Sequence, residues 1–136
     1  MTTALWLRIA SVISFLFAAG HSLGGRKDWS PIAENATLAA MRTFRFDAMG
    51  VNRSYLDFYL GFGFTISVFQ VLQAVVLWQL AGLAKGDPSP YRATIAAFAI
   101  ASLACGVISW WFIFPLPTIF SAVLTATLLV ACFLRR

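Results

Sequence analysis

The stretch SYLDFYLGFGFTISVFQVLQAVVLWQLAGL, residues 54 to 83, decides the fold. It is a thirty-residue run in which Asp57 is the one ionised side chain. A helix needs about twenty apolar residues to cross the hydrocarbon core of a bilayer, so this run is long enough to span it. Its charge stands at the start and has a reason to be there. Ser54 and Asp57 have the capping-box spacing, in which the serine hydroxyl accepts from the amide of Asp57 and the carboxylate accepts from the amide of Ser54. The run therefore predicts a membrane helix that begins near residue 54.

Three further stretches have the same character, at about residues 4–24, 91–114 and 117–134. The chain is 60% hydrophobic and 11% charged, with 13 Phe and 5 Trp. Its mean hydropathy is +0.82. An ordinary soluble domain is roughly half apolar and a quarter charged, so the expected solvent is a membrane. Arg8 is the one charge ahead of SVISFLFAAG (11–20), weak for the basic region of a secretory signal, so the first stretch reads as a retained helix. In the third run Ser89 is expected to cap and Pro90 to occupy the first helical position. Phe114-Pro-Leu-Pro117 leaves room only for a tight antiparallel hairpin between the last two spans.

The connection from 25 to 53 is longer and more polar. Ser30 and Pro31 mark a helix start, and Ile32, Leu38, Met41 and Phe44 supply an apolar side. An amphipathic helix over about 31–46 is expected to lie at the interface. The predicted fold is thus all-α: an integral membrane four-helix bundle, one transmembrane domain over residues 1–136, with an interfacial amphipathic helix between its first two spans.

Even-numbered crossing puts both termini and the 84–90 loop on one face, with Arg8, Lys85, Arg92, Arg135 and Arg136 against Asp87. The uncharged hairpin lies opposite, which favours both termini being cytoplasmic. Arg26, Lys27, Arg42, Arg45 and Arg53 of the connection weigh the other way. Trp6, Trp78 and Tyr91 fall on the terminal face, and Trp29, Tyr55, Trp110 and Trp111 on the other, as interfacial belts. Stripes of small residues, Ser11, Ala18, Ser22 and Gly25, then Ser102, Gly106 and Ser109, then Ser121 and Thr125, let helices approach closely. Gln70 and Gln73 are expected to face the interior, since lipid offers an amide no partner.

Several chemistries are excluded. The net charge of +5 is scattered among apolar runs, with no basic stripe for nucleic acid, so anionic headgroups are the fitting partner. One histidine and two dispersed cysteines, Cys105 and Cys132, build neither a zinc site nor a bis-histidine haem. No metal or other cofactor is expected.

The residues left for a site gather at one membrane face. His21 is the lone imidazole, able to take or give a proton near neutral pH. Arg53 and Asp57 stand four apart and pair if both are helical, Gly61 one turn deeper offers close approach, and Tyr55 and Tyr59 bring hydroxyls. Glu34, Leu38, Met41 and Arg45 share one face of the expected connecting helix, and Arg42 or Arg45 suits an anionic head if that helix folds over the bundle. Trp29 and Trp110 suit an apolar body. The expectation is that His21 and Asp57 converge as proton-handling groups, with Arg53, Arg42 or Arg45, Glu34, Tyr55 and Tyr59 around a polar head. For each group, anchoring of a helix at the interface is the plainer alternative.

The elements LRIASVISFLFAAGHSLGG (7–25) and MRTFRFDAMGVNRSYLDFYLGFG (41–63), followed by an apolar hairpin, resemble a family of small bacterial four-helix integral membrane proteins. The resemblance covers nearly the whole chain and implies the four-helix topology, with no activity attached. A looser architectural similarity runs to the trimeric membrane glutathione transferases and leukotriene synthases, whose fuller Arg, Asn and Glu signature this chain lacks. Another runs to the sterol isomerase and sigma-2 receptor group, with no shared motif. The expected function is binding of a lipid or other lipophilic molecule with a polar head, with isomerase, cyclase or epoxide-opening chemistry open to it. The alternatives are a non-catalytic structural or assembly subunit, with homo-oligomerisation open, and a membrane glutathione-transferase-like enzyme.

Overall fold

The computed structural model describes residues 2–30 and 32–134. Pro31, expected at a helix start, and Arg135 and Arg136, counted on the terminal face, lie outside the described residues. Helix α1 spans Thr3–Gly25, α2 Ala36–Thr43, α3 Tyr55–Leu83, α4 Arg92–Phe112 and α5 Pro115–Phe133; strands β1 (Arg45–Ala48) and β2 (Val51–Ser54) form an antiparallel hairpin between α2 and α3. The architecture is an all-α membrane four-helix bundle, and α1, α3, α5 and α4 with the 3₁₀ turn before it are each long and apolar enough to cross a bilayer. The chain divides into two compact units, residues 1–17 with 70–136, and residues 18–69.

In the first unit the core is built one large side chain per helix. Leu7 of α1, Leu77 of α3, Ile95 of α4 and Leu128 of α5 are all fully inaccessible, with Ala10, Ala81, Ala99 and Ala131 between them. Small residues make this closeness possible, as membrane helices require. Ser11 Oγ donates to the Ala74 carbonyl at 2.6 Å, and a Cβ added to Gly106 would come within 3.1 Å of Ser121 Cβ. Ser102, Ser109, Ser121 and Thr125 are all buried, so the predicted stripes are packing seams. Thr118 Oγ1 donates to the Gly106 carbonyl at 3.4 Å, and Cys132 Sγ reaches the Arg92 carbonyl at 3.6 Å. Residues early in α4 thus meet residues late in α5, which is the antiparallel hairpin expected from Phe114-Pro-Leu-Pro117. Gln73 Nε2 donates across to Ser102 Oγ at 3.3 Å, giving that amide its interior partner.

The start of the third span differs from expectation. Ser89–Tyr91 forms a 3₁₀ turn and α4 begins at Arg92, with no side-chain cap. Asp87 Oδ1 takes the Ser89 amide at 3.0 Å instead, a turn in which the aspartate does the work assigned to Ser89.

The outward surfaces are apolar. Phe62, Val68 and Phe69 of α3 and Ile100, Trp110, Trp111 and Phe112 of α4 are each more than 60% exposed. A water-soluble bundle does not present faces of this kind, whereas lipid tails solvate them.

In the second unit the connection is shorter in helix and richer in turns than expected. Asn35, not Ser30, caps α2, its side chain accepting from the Thr37 and Leu38 amides at 3.1 Å. Arg45 and Phe46 lie in β1, not in the helix. Glu34 precedes α2, so the shared helical face drawn for Glu34, Leu38, Met41 and Arg45 does not form. The hairpin turns through Met49 (φ 57°) and Gly50 (φ 86°), both left-handed, as a two-residue primed turn requires. Asp47 Oδ1 accepts from the Gly50 amide at 2.8 Å and steadies it.

The capping box at the head of α3 is present in both directions. Ser54 N–H donates to Asp57 Oδ2 at 2.8 Å and Asp57 N–H to Ser54 Oγ at 3.1 Å. Ser54→Ala is expected to cost about 1 kcal/mol, the ordinary value of a lost N-cap. Asp57→Asn, which keeps an acceptor, should retain most of the stability; unfolding midpoints in mixed detergent micelles measure both.

Candidate functional site

The site in residues 18–69 is organised by Trp29. Helix α1 ends in a glycine pair, and Asp28 (φ 53°) and Trp29 (φ 46°) both adopt the left-handed conformation that costs non-glycine residues about 1–2 kcal/mol each. The Lys27 and Trp29 amides donate to the Gly24 carbonyl at 3.0 and 3.1 Å and hold the reversal. The chain thereby sends the indole back against α1, which it has just left, and against α3. Trp29 Nε1 donates to the His21 carbonyl at 2.8 Å. Its ring lies 5.0 Å from that of His21, 5.0 Å from Phe64 and 6.1 Å, edge-on, from Tyr59.

Three glycines make the slot for this ring. A Cβ added to Gly24 would stand 2.9 Å from the indole, one on Gly25 2.7 Å, and one on Gly63 closer still. The end of α1 and the early part of α3 thus meet on one tryptophan. His21 Nδ1 shares a hydrogen bond with Ser67 Oγ of α3 at 3.0 Å, and Ser67 is buried.

Beside the reversal lies a cleft of about 430 Å³, lined by Lys27, Asp28, Ser30, Ile32, Glu34 and Leu38 among others. Arg42 of α2 joins its two acids, Nη2 to Asp28 at 3.0 Å and Nη1 to Glu34 at 3.1 Å. These pairs are solvent-exposed, and exposed pairs contribute about 0–1 kcal/mol, so Arg42 is held lightly enough to change partners.

A continuous aromatic surface covers the hairpin and the first turns of α3. Tyr55 stacks on Phe44 at 5.7 Å and meets Phe46, tilted, at 4.9 Å; Phe46 meets Phe58 at 5.6 Å, and Phe58 meets Phe62 at 6.2 Å. Phe44, Tyr55, Phe58, Tyr59 and Phe62 are all exposed, the placement expected of rings at a membrane interface.

The predicted site residues separate into these groups. His21 belongs with Trp29 and Ser67. Asp57 belongs to its capping box and to Arg45, whose Nη2 lies 3.8 Å away; Arg45 Nε also donates to Asn52 Oδ1 at 2.9 Å. Ser67 is ten residues beyond Asp57 on α3, a rise of about 15 Å, so the structure does not bring His21 and Asp57 together. Arg53 lies in β2, where a spacing of four is not one helical face, and the cation within ion-pair distance of Asp57 is Arg45. Gly61 is open, with nothing within 4 Å of an added Cβ; the close approach falls to Gly63. Trp110 is exposed on α4 in the other unit.

Sequence reading passed over Gly24, Gly63, Ser67 and Asp28, and took Gly25 only as part of a small-residue packing stripe. The available signal was the glycine pair Gly24-Gly25 a few residues before a tryptophan, and a second pair, Gly61 and Gly63, at helical depth. Comparison of the chain with protein-family models, with curated proteins and with solved structures finds no match.

Proposed function

We propose that this integral membrane protein binds a lipophilic molecule with a polar head at one membrane face, the head in the Lys27–Leu38 cleft and the apolar body along the aromatic surface of the hairpin and α3. The observation that carries this reading is the pairing, on one short segment, of a charged cleft with an exposed aromatic face. Helix α2 links them: Leu38 lines the cleft, Arg42 latches it, and Phe44 stacks on Tyr55. An anionic or zwitterionic head would take Arg42 from the chain's own carboxylates, with Lys27 also lining the cleft. Any acid/base step would run through His21 with Ser67 as its polar partner, since Asp57 is committed to Ser54 and Arg45. The terminal-side cations Arg8, Lys85 and Arg92 support cytoplasmic termini in a bacterial plasma membrane. The resemblance to small bacterial four-helix membrane proteins belongs to the same proposal and brings no activity to it.

Mass spectrometry of organic extracts from purified protein tests this. Wild type is expected to carry a lipophilic species in about stoichiometric amount, and a Lys27→Ala/Arg42→Ala variant to lose it while folding normally, because the lost ion pairs are exposed. Identical extracts from the two would overturn the reading. A second reading, a non-catalytic structural or assembly subunit, is favoured by one observation: His21, Trp29 and Asp57 are each engaged by the protein's own groups.

A further inference from the structure

A second feature lies in the other unit, between α1 and α3. Arg8, Ser11, Val12 and Phe15 follow one another at three- and four-residue spacing and so share one face of α1. Opposite them are Ala74, Val75 and Trp78 of α3. The floor between the helices is small, Ser11 bonded to the Ala74 carbonyl, and the walls are large, so a groove of about 370 Å³ runs along the pair. At its end the Arg8 guanidinium stacks over Trp78, 5.1 Å from the ring centroid. Among the described residues no carboxylate lies within ion-pair distance of Arg8.

We propose that this groove holds the acyl chain of an anionic phospholipid, with the phosphate on Arg8. Val12, Phe15, Val75 and Trp78 meet the chain along its length, while Arg8, pre-oriented by the ring it stacks on, supplies the charge the headgroup needs. Gln79, which also lines the groove, adds an amide donor. A second copy of the protein fits the same groove less well, because any acid it offered Arg8 would first have to leave a partner in its own chain. Asp28 and Glu34 are held by Arg42, Asp47 by the Gly50 amide, Asp57 by Ser54 and Arg45, and Asp87 by the Ser89 amide.

The test is native mass spectrometry of the full-length protein in micelles containing phosphatidylglycerol and phosphatidylcholine with identical acyl chains. Wild type is expected to retain one phosphatidylglycerol, in preference to phosphatidylcholine by about fivefold, the effect of one cation near an anionic headgroup. Arg8→Gln should bring that preference close to unity. Val12→Trp fills the groove with Arg8 intact and should lose lipid of both kinds, which keeps the proposal testable should Arg8→Gln fail to fold. Equal retention of the two lipids by wild type, an undiminished preference in Arg8→Gln, or undiminished lipid in Val12→Trp would each overturn it. So would a lipid-free dimer that Val12→Trp separates, since that hands the groove to a second copy.

Discussion

Trp29→Ala is expected to lower stability by about 3 kcal/mol, the low end of the range for emptying a large aromatic site. The indole touches Gly24, Gly25, Gly63, His21 and Phe64 and bonds to the His21 carbonyl. Three glycines cannot close the space that it would leave. The low end applies because Trp29 is only partly buried, and because its removal also frees the backbone at Asp28 and Trp29 to leave the left-handed region, which returns part of the loss. Equilibrium unfolding in mixed detergent micelles measures the effect. A loss below about 1 kcal/mol, the value of a peripheral contact, would mean that the ring rests on the surface and does not tie α1 to α3.

Gly63→Ala should change sign with its background. In an open helical position this substitution stabilises by about 1 kcal/mol, because glycine is the poorer helix former. Here the new methyl would collide with the Trp29 ring, whose rigid plane has to move as a whole. Overpacking of this kind costs about 1–3 kcal/mol, so in wild type the collision outweighs the propensity gain and the protein is weakened. In a Trp29→Ala background the obstacle is gone and Gly63→Ala should stabilise. The double-mutant cycle therefore predicts a coupling of about 2 kcal/mol, as contacting residues give. Gly61→Ala is the control, since its added methyl meets nothing, and it should stabilise in both backgrounds. Additivity of Gly63→Ala and Trp29→Ala would show that the slot is not formed.

The four membrane helices were legible from composition and length alone. No polar alternative exists for runs such as Tyr55–Leu83, because in lipid the backbone must satisfy itself within one helix. The Ser54/Asp57 box and the α4–α5 hairpin were equally readable, since both depend on neighbours in sequence. The hairpin Arg45–Ser54 was not, because Met49-Gly50 lacks the Asn-Gly or Asp-Gly signature and an apolar spacing at 38, 41 and 44 fits a helix as well. Where the site residues go was decided only in three dimensions. His21 finds Ser67 and not Asp57, and Arg42 finds two acids at 28 and 34, because these partners are set by how α1, the reversal at Trp29 and α3 pack. Packing depends on which glycines face a ring, Gly63 and not Gly61, and one sequence position decides that only once the helices have met.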